Sequence, residues 1–149
     1  MLSISKLKEL SFLIYGLGLS GKSVINFFKK NNINNYEIWD DNEKQFYKNK
    51  RAKNLSKTLN KVDYIVLSPG VSLIDKKKLN KFKKKIITDI DLLYLINKKF
   101  NSIVVTGTNG KSTTCNLISH LLKKNKYKIL LGGNIGIPVL DLKITKNVY

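Results

Sequence analysis

At 149 residues and 17.0 kDa the chain is long enough to bury a real core, and a hydrophobic content of 42% excludes a disordered polypeptide. The net charge of +18 comes from lysines scattered along most of the sequence, which reads as solvated surface more than as a nucleic-acid footprint of clustered basic and aromatic residues. The single cysteine, Cys115, excludes an internal disulfide and points to a reducing, cytoplasmic setting, and the single histidine, His120, excludes a histidine-rich metal site.

Residues 11–15 predict a first strand. Its apolar run breaks at Gly16 with no cleavage region, so it is not a secretory signal, and no stretch reaches the length of a membrane span. The strand runs at once into Gly16-Leu17-Gly18-Leu19-Ser20-Gly21, a complete G-x-G-x-x-G, and then into an amphipathic helix bearing Val24, Ile25, Phe27 and Phe28. Residues 36–39 predict a second strand that ends in Asp40-Asp41. An acidic residue there, about 20 residues past the glycines, is where a ribose hydroxyl is bound in dinucleotide folds; a turn or a helix cap is the plainer alternative.

Residues 43–61 read as a helix plus loops, without chemistry of their own. Residues 63–67 predict a third strand, stopped by Ser68-Pro69-Gly70, a turn that faces the ligand crevice if the sheet is parallel. Residues 75–85 predict a basic helix, 86–88 a short fourth strand, and 89–98 a further helix with Thr88 or Asp89 as its N-cap.

A new strand-loop-helix unit follows. Ile103-Val104-Val105 is a β-branched run, Gly107-Thr108-Asn109-Gly110-Lys111-Ser112-Thr113 a glycine-rich loop, and Cys115, Ile118, Leu121 and Leu122 recur at helical spacing. This is the setting of a phosphate-binding P-loop: glycines let several backbone N–H groups converge, and the helix N-terminus adds positive potential. Lys111 would reach the outer phosphates, and Ser112 or Thr113 would place a hydroxyl on magnesium. Val105 stands where the longer form of the motif has a glycine, so the loop is a shortened variant. Residues 127–131 predict another strand, running into Gly132-Gly133-Asn134-Ile135-Gly136-Ile137-Pro138, a candidate binding loop that presents Asn134.

The predicted fold class is therefore α/β: a Rossmann-like parallel-sheet domain over residues 1–99, followed by the start of a P-loop ATPase domain over residues 100–149. A dehydrogenase that uses the first glycine loop leaves Lys111 unexplained, and a P-loop kinase leaves the first loop unexplained. The order GLGLSG, SPG, TGTNGKST, GGNIGIP resembles the Mur ligases of peptidoglycan synthesis, and the first and last motifs point to the member that adds D-glutamate.

That resemblance implies an ATP-dependent amide ligase, working through an acyl phosphate on UDP-N-acetylmuramoyl-L-alanine and D-glutamate. Gly18, Leu19, Ser20, Asp40 and Gly70 would bind the UDP-sugar, and Asn134 its muramoyl-alanine end. Gly107, Thr108, Asn109, Gly110, Lys111, Ser112 and Thr113 would bind ATP, with Lys111 catalytic and Ser112 on Mg2+. It also implies a cytoplasmic monomer without a nucleic-acid partner. The family's magnesium-binding glutamate and histidine, its carbamylated lysine and its C-terminal domain have no counterpart in these residues, so the 149-residue chain is expected to bind the nucleotide-sugar without completing ligation. Another ligase of the same superfamily and, more remotely, a nicotinamide-dependent oxidoreductase are the alternatives.

Overall fold

The computed structural model describes residues 3–42, 48–72, 77–96, 101–133 and 136–144. Four strands, β1 (Phe12–Tyr15), β2 (Tyr36–Trp39), β3 (Tyr64–Leu67) and β4 (Ile86–Ile87), form one parallel sheet in the order β2-β1-β3-β4. The central strand β1 pairs Phe12 with Tyr36 on one side and with Tyr64 on the other.

All four β1 residues are buried, because both faces of the sheet are covered. Phe12 and Ile14 point to one face, where α1 (Ile4–Glu9), α2 (Leu19–Lys30) and α4 (Asp89–Ile96) supply Leu7, Val24, Phe28 and Leu92. Leu13 and Tyr15 point to the other, against Leu59 of α3 (Leu55–Lys61) and Leu79 of the 3-10 helix Lys77–Lys85. An aromatic group anchors the first face: the Phe28 ring lies 4.9 Å from that of Phe12 and 5.4 Å from that of Tyr36.

The helix ends follow their sequence signals. Asn54 caps α3 by accepting from the Lys57 N–H at 3.1 Å. Thr88 is the cap of α4: its hydroxyl accepts from the Asp91 N–H at 3.2 Å, while the Asp91 carboxylate accepts from the Thr88 N–H at 2.8 Å. Helix α1 was not among the expected elements, although Ser3 caps it through the Lys6 N–H and Ile4 and Leu7 share its inner side. The basic segment Lys77–Lys85 is a 3-10 helix broken at Phe82 rather than the expected regular helix.

Beyond residue 100 the expectation is met only in part. Helix α5 (Lys111–Lys124) forms where the P-loop reading places it, capped by Gly110 in the left-handed conformation. The strands expected at 103–105 and 127–131 do not form among the described residues. Ile103 and Val104 are instead 55% and 66% exposed, since a strand exists only through ladder bonds and, among the described residues, no neighbouring strand supplies them. The tail does reach the first unit: Val139 in the 3-10 turn Val139–Asp141 is buried and Leu140 packs against the core that α2 and α4 share.

Candidate substrate-binding site

The strand order reverses direction between β1 and β3, and in open parallel sheets the crevice at such a point, outside the carboxyl ends of the strands, is where ligands bind. The glycine loop between β1 and α2 lies there, and its glycines have separate physical reasons. Gly16 has φ +95°, a conformation that side chains disfavour. A Cβ on Gly21 would stand 1.9 Å from the Gly16 carbonyl oxygen, so only glycine lets α2 approach the strand this closely. A Cβ on Gly18 would meet nothing within 4 Å: this position is open toward the crevice, and its glycine is not required by the protein's own packing.

Two side chains hold the loop. The Ser68 hydroxyl, at the end of β3, donates to the Gly16 carbonyl at 2.8 Å, and Ser68 is buried. The Asp40 carboxylate accepts from the Leu17 N–H at 2.6 Å with one oxygen and from the Asn42 N–H at 2.8 Å with the other. Asp40 thus braces the loop as well as facing the crevice. Next to it, Asp41 accepts from the Tyr15 hydroxyl at 3.0 Å and from the Trp39 indole N–H at 3.0 Å. Burial pushes the Tyr15 hydroxyl well above the usual phenol range, and the hydrogen bond and charge of Asp41 add to the shift, so Tyr15 stays a donor.

These elements enclose a cleft of about 660 Å³. Gly18, Leu19, Ser20, Asp40 and Gly70, separated by up to 52 positions, all line it. The first turn of α2 opens on the same loop; its cap, Gly18, offers no side-chain acceptor, so first-turn N–H groups remain for an anionic ligand. Asn134 lies outside the described residues, but its neighbour Gly133 is part of the lining.

The second loop is set apart. Gly107 and Gly110 have φ +147° and +75°, and the Lys111 ammonium donates to the carbonyls of Gly107 and Thr108, the latter at 2.9 Å. Lys111 and Ser112 line a separate cavity of about 380 Å³, together with Cys115 and apolar residues from the tail and α4. Gly107, Thr108, Asn109, Gly110 and Thr113 line neither space. Pro69 and Gly133 border both, so the two spaces adjoin. Among the described residues no group of three or more acidic, histidine or cysteine side chains is arranged to hold a metal.

Sequence reasoning missed Ser68 as a loop tie, reading Ser68-Pro69-Gly70 as a turn. It also missed the Tyr15–Asp41–Trp39 contacts, for which the sequence carries no signal beyond the acidic pair at the strand end.

The family described as Mur ligase MurD-like, N-terminal domain, matches residues 10–91, which span β1 to the first turn of α4. The chain belongs to this family. As a MurD-like chain it is similar to UDP-N-acetylmuramoylalanine–D-glutamate ligases over nearly its whole length. The one from Wolbachia sp. subsp. Brugia malayi (strain TRS) is 40% identical over 165 residues, covering 99% of this chain and 32% of the relative. That of Buchnera aphidicola subsp. Schizaphis graminum is 41% identical, covering 87% of this chain and 31% of the relative. That of Rickettsia felis is 41% identical, covering 91% and 32%. The MurD-like chain thus spans about a third of the length of the relatives it matches. Among its described residues no helix is long and apolar enough to cross a membrane.

Proposed function

We propose that this chain carries the UDP-sugar-binding domain (residues 1–99) and the first part of the ATP-binding domain (residues 100–149) of an ATP-dependent ligase that joins D-glutamate to UDP-N-acetylmuramoyl-L-alanine. The observation that carries the reading is the convergence of Gly18, Leu19, Ser20, Asp40 and Gly70 on one cleft at the strand-order reversal. The activity for which its relatives are named and the family match at residues 10–91 support the same substrate class.

In this reading the diphosphate lies on the N-terminus of α2, where the open Gly18 position lets it approach the backbone. Asp40 keeps the loop in shape through the Leu17 N–H and borders the nucleoside. The alanyl carboxylate attacks the γ-phosphate of ATP, ADP leaves, and the amine of D-glutamate displaces phosphate from the acyl phosphate to form the amide. Such chemistry needs charge neutralisation and alignment more than a covalent nucleophile. Residues 107–113 hold the nucleotide, and Lys111 exchanges its two loop carbonyls for phosphate oxygens. Ser112 offers Mg2+ a single hydroxyl, which fits only alongside nucleotide phosphates and water; the ion supplies charge neutralisation when bound. In this reading the protein works as a cytoplasmic monomer, and its first glycine loop binds the nucleotide-sugar.

Calorimetric titration with UDP-N-acetylmuramoyl-L-alanine and, in parallel, with NADH tests this. Heat with the UDP-sugar alone is expected, lost in Gly18→Val, whose Cβ meets nothing within 4 Å in the free protein, and in Ser20→Arg. Heat with NADH alone would overturn the reading in favour of an oxidoreductase.

A further inference from the structure

A second cleft opens at the other end of the sheet, about 13 Å away along a four-residue strand. Segments entering β1 and β2, with helix α3, border an open cleft of about 490 Å³ there, within the roughly 300–1,000 Å³ of small-ligand sites. Lys50, Arg51, Lys53, Lys57 and Lys61 line it, against one carboxylate, Glu37. Glu37 is half-buried and accepts from the Thr58 hydroxyl at 2.8 Å. Lys50 Nζ is fixed by neutral groups: it donates to the Asn34 carbonyl at 2.5 Å and lies 4.7 Å from the Tyr36 ring centroid. Lys57 and Lys61, four residues apart on α3, share one side of that helix.

We infer that this cleft is an anion site, separate from the crevice at the carboxyl ends, that takes a compact polyphosphate group. Four lysines around one open cleft, with a single carboxylate among them, match a ligand whose negative charges are equally dense. An extended nucleic-acid strand would need a basic track with aromatic stacking surfaces, whereas Tyr36 is buried in the core. The inference does not depend on the ligase reading.

Backbone amide shifts of the full chain titrated with sodium tripolyphosphate test it. Shifts are expected in residues 49–61, and Lys57→Gln/Lys61→Gln should weaken that binding about tenfold. The exposed pair Lys77→Gln/Lys78→Gln removes the same net charge from another surface and should leave the affinity unchanged. Equal weakening by both pairs would reduce the effect to diffuse charge and overturn the site. Shifts confined to residues 16–21 or 107–113 would also overturn it. So would an oligonucleotide that occupies residues 49–61 more tightly than tripolyphosphate at matched salt, which would make the cleft a nucleic-acid surface.

Discussion

The chain contains two glycine loops that each precede a helix, and they have different surroundings. The first follows a strand with partners on both sides and helices on both faces, so every residue of β1 is buried. The second follows residues 103–105, which have the better β-branched composition yet, among the described residues, no ladder and little cover. A sheet is a collective structure: propensity selects a strand only where neighbours complete its hydrogen bonds. A helix closes its own bonds, which is why α5 is present although no flanking strand forms among the described residues.

Mutations can break this comparison. Phe28→Ala removes a fully buried ring that touches Phe12 and Tyr36, and should cost about 3–5 kcal/mol in denaturant unfolding. Leu117→Ala, on α5 with 58% of its surface exposed, should stay within about 0.5 kcal/mol. Equal costs would mean that the second unit is packed as tightly as the first. Next in size is Gly21→Ala, whose Cβ must displace the Gly16 carbonyl; about 1–3 kcal/mol is expected, with weakened UDP-sugar binding because the loop shifts. A Gly21→Ala variant of full stability and affinity would show that α2 moves away from the strand freely.

Hydrogen exchange sharpens the same contrast without mutation. Amides of Phe12–Tyr15 and Tyr64–Leu67 should exchange only through global unfolding, and those of residues 103–105 faster by several orders of magnitude. Equal protection would require a ladder for residues 103–105.

How much of this could be read from the sequence divides along the same line. Strand β2 falls at the expected residues, and β1, β3 and β4 within one residue of their expected ends, because short apolar runs bounded by Gly16, Asp40 and Ser68 leave little choice. The crevice was legible too, since the glycine spacing encodes both a backbone turn and a close helix approach. What was not legible depends on distant partners. Asp40 gives no sign in sequence that it accepts from the Leu17 N–H, and Ser68 none that its hydroxyl reaches Gly16 across 52 positions. Residues 103–105 and 127–131 read as strands by composition, and composition does not say whether a neighbour exists.

The smallest expected effect concerns the clamp that aligns β1 with β3. Asp63 accepts from the Ser11 N–H at 2.8 Å and from the Ser11 hydroxyl at 2.7 Å, while Ser11 Oγ accepts from the Asp63 N–H at 3.1 Å. The Ser11 hydroxyl, then its N–H, holds the Asp63 carboxyl below its ordinary value of 3.8, with Lys85 adding slightly. A depressed folded-state pKa contributes stability that is fully present above the unfolded value and is lost as pH falls through the folded one. Asp63 is solvent-exposed, so the contribution is small. Asp63→Asn keeps an acceptor but not the charge, so its melting temperature should lie slightly below that of the parent at neutral pH. The gap should narrow as pH drops below 3.8 and the parent loses its carboxylate. A gap that holds constant through that range would mean that the charge adds nothing and that geometry alone sets the register of the first unit's two central strands.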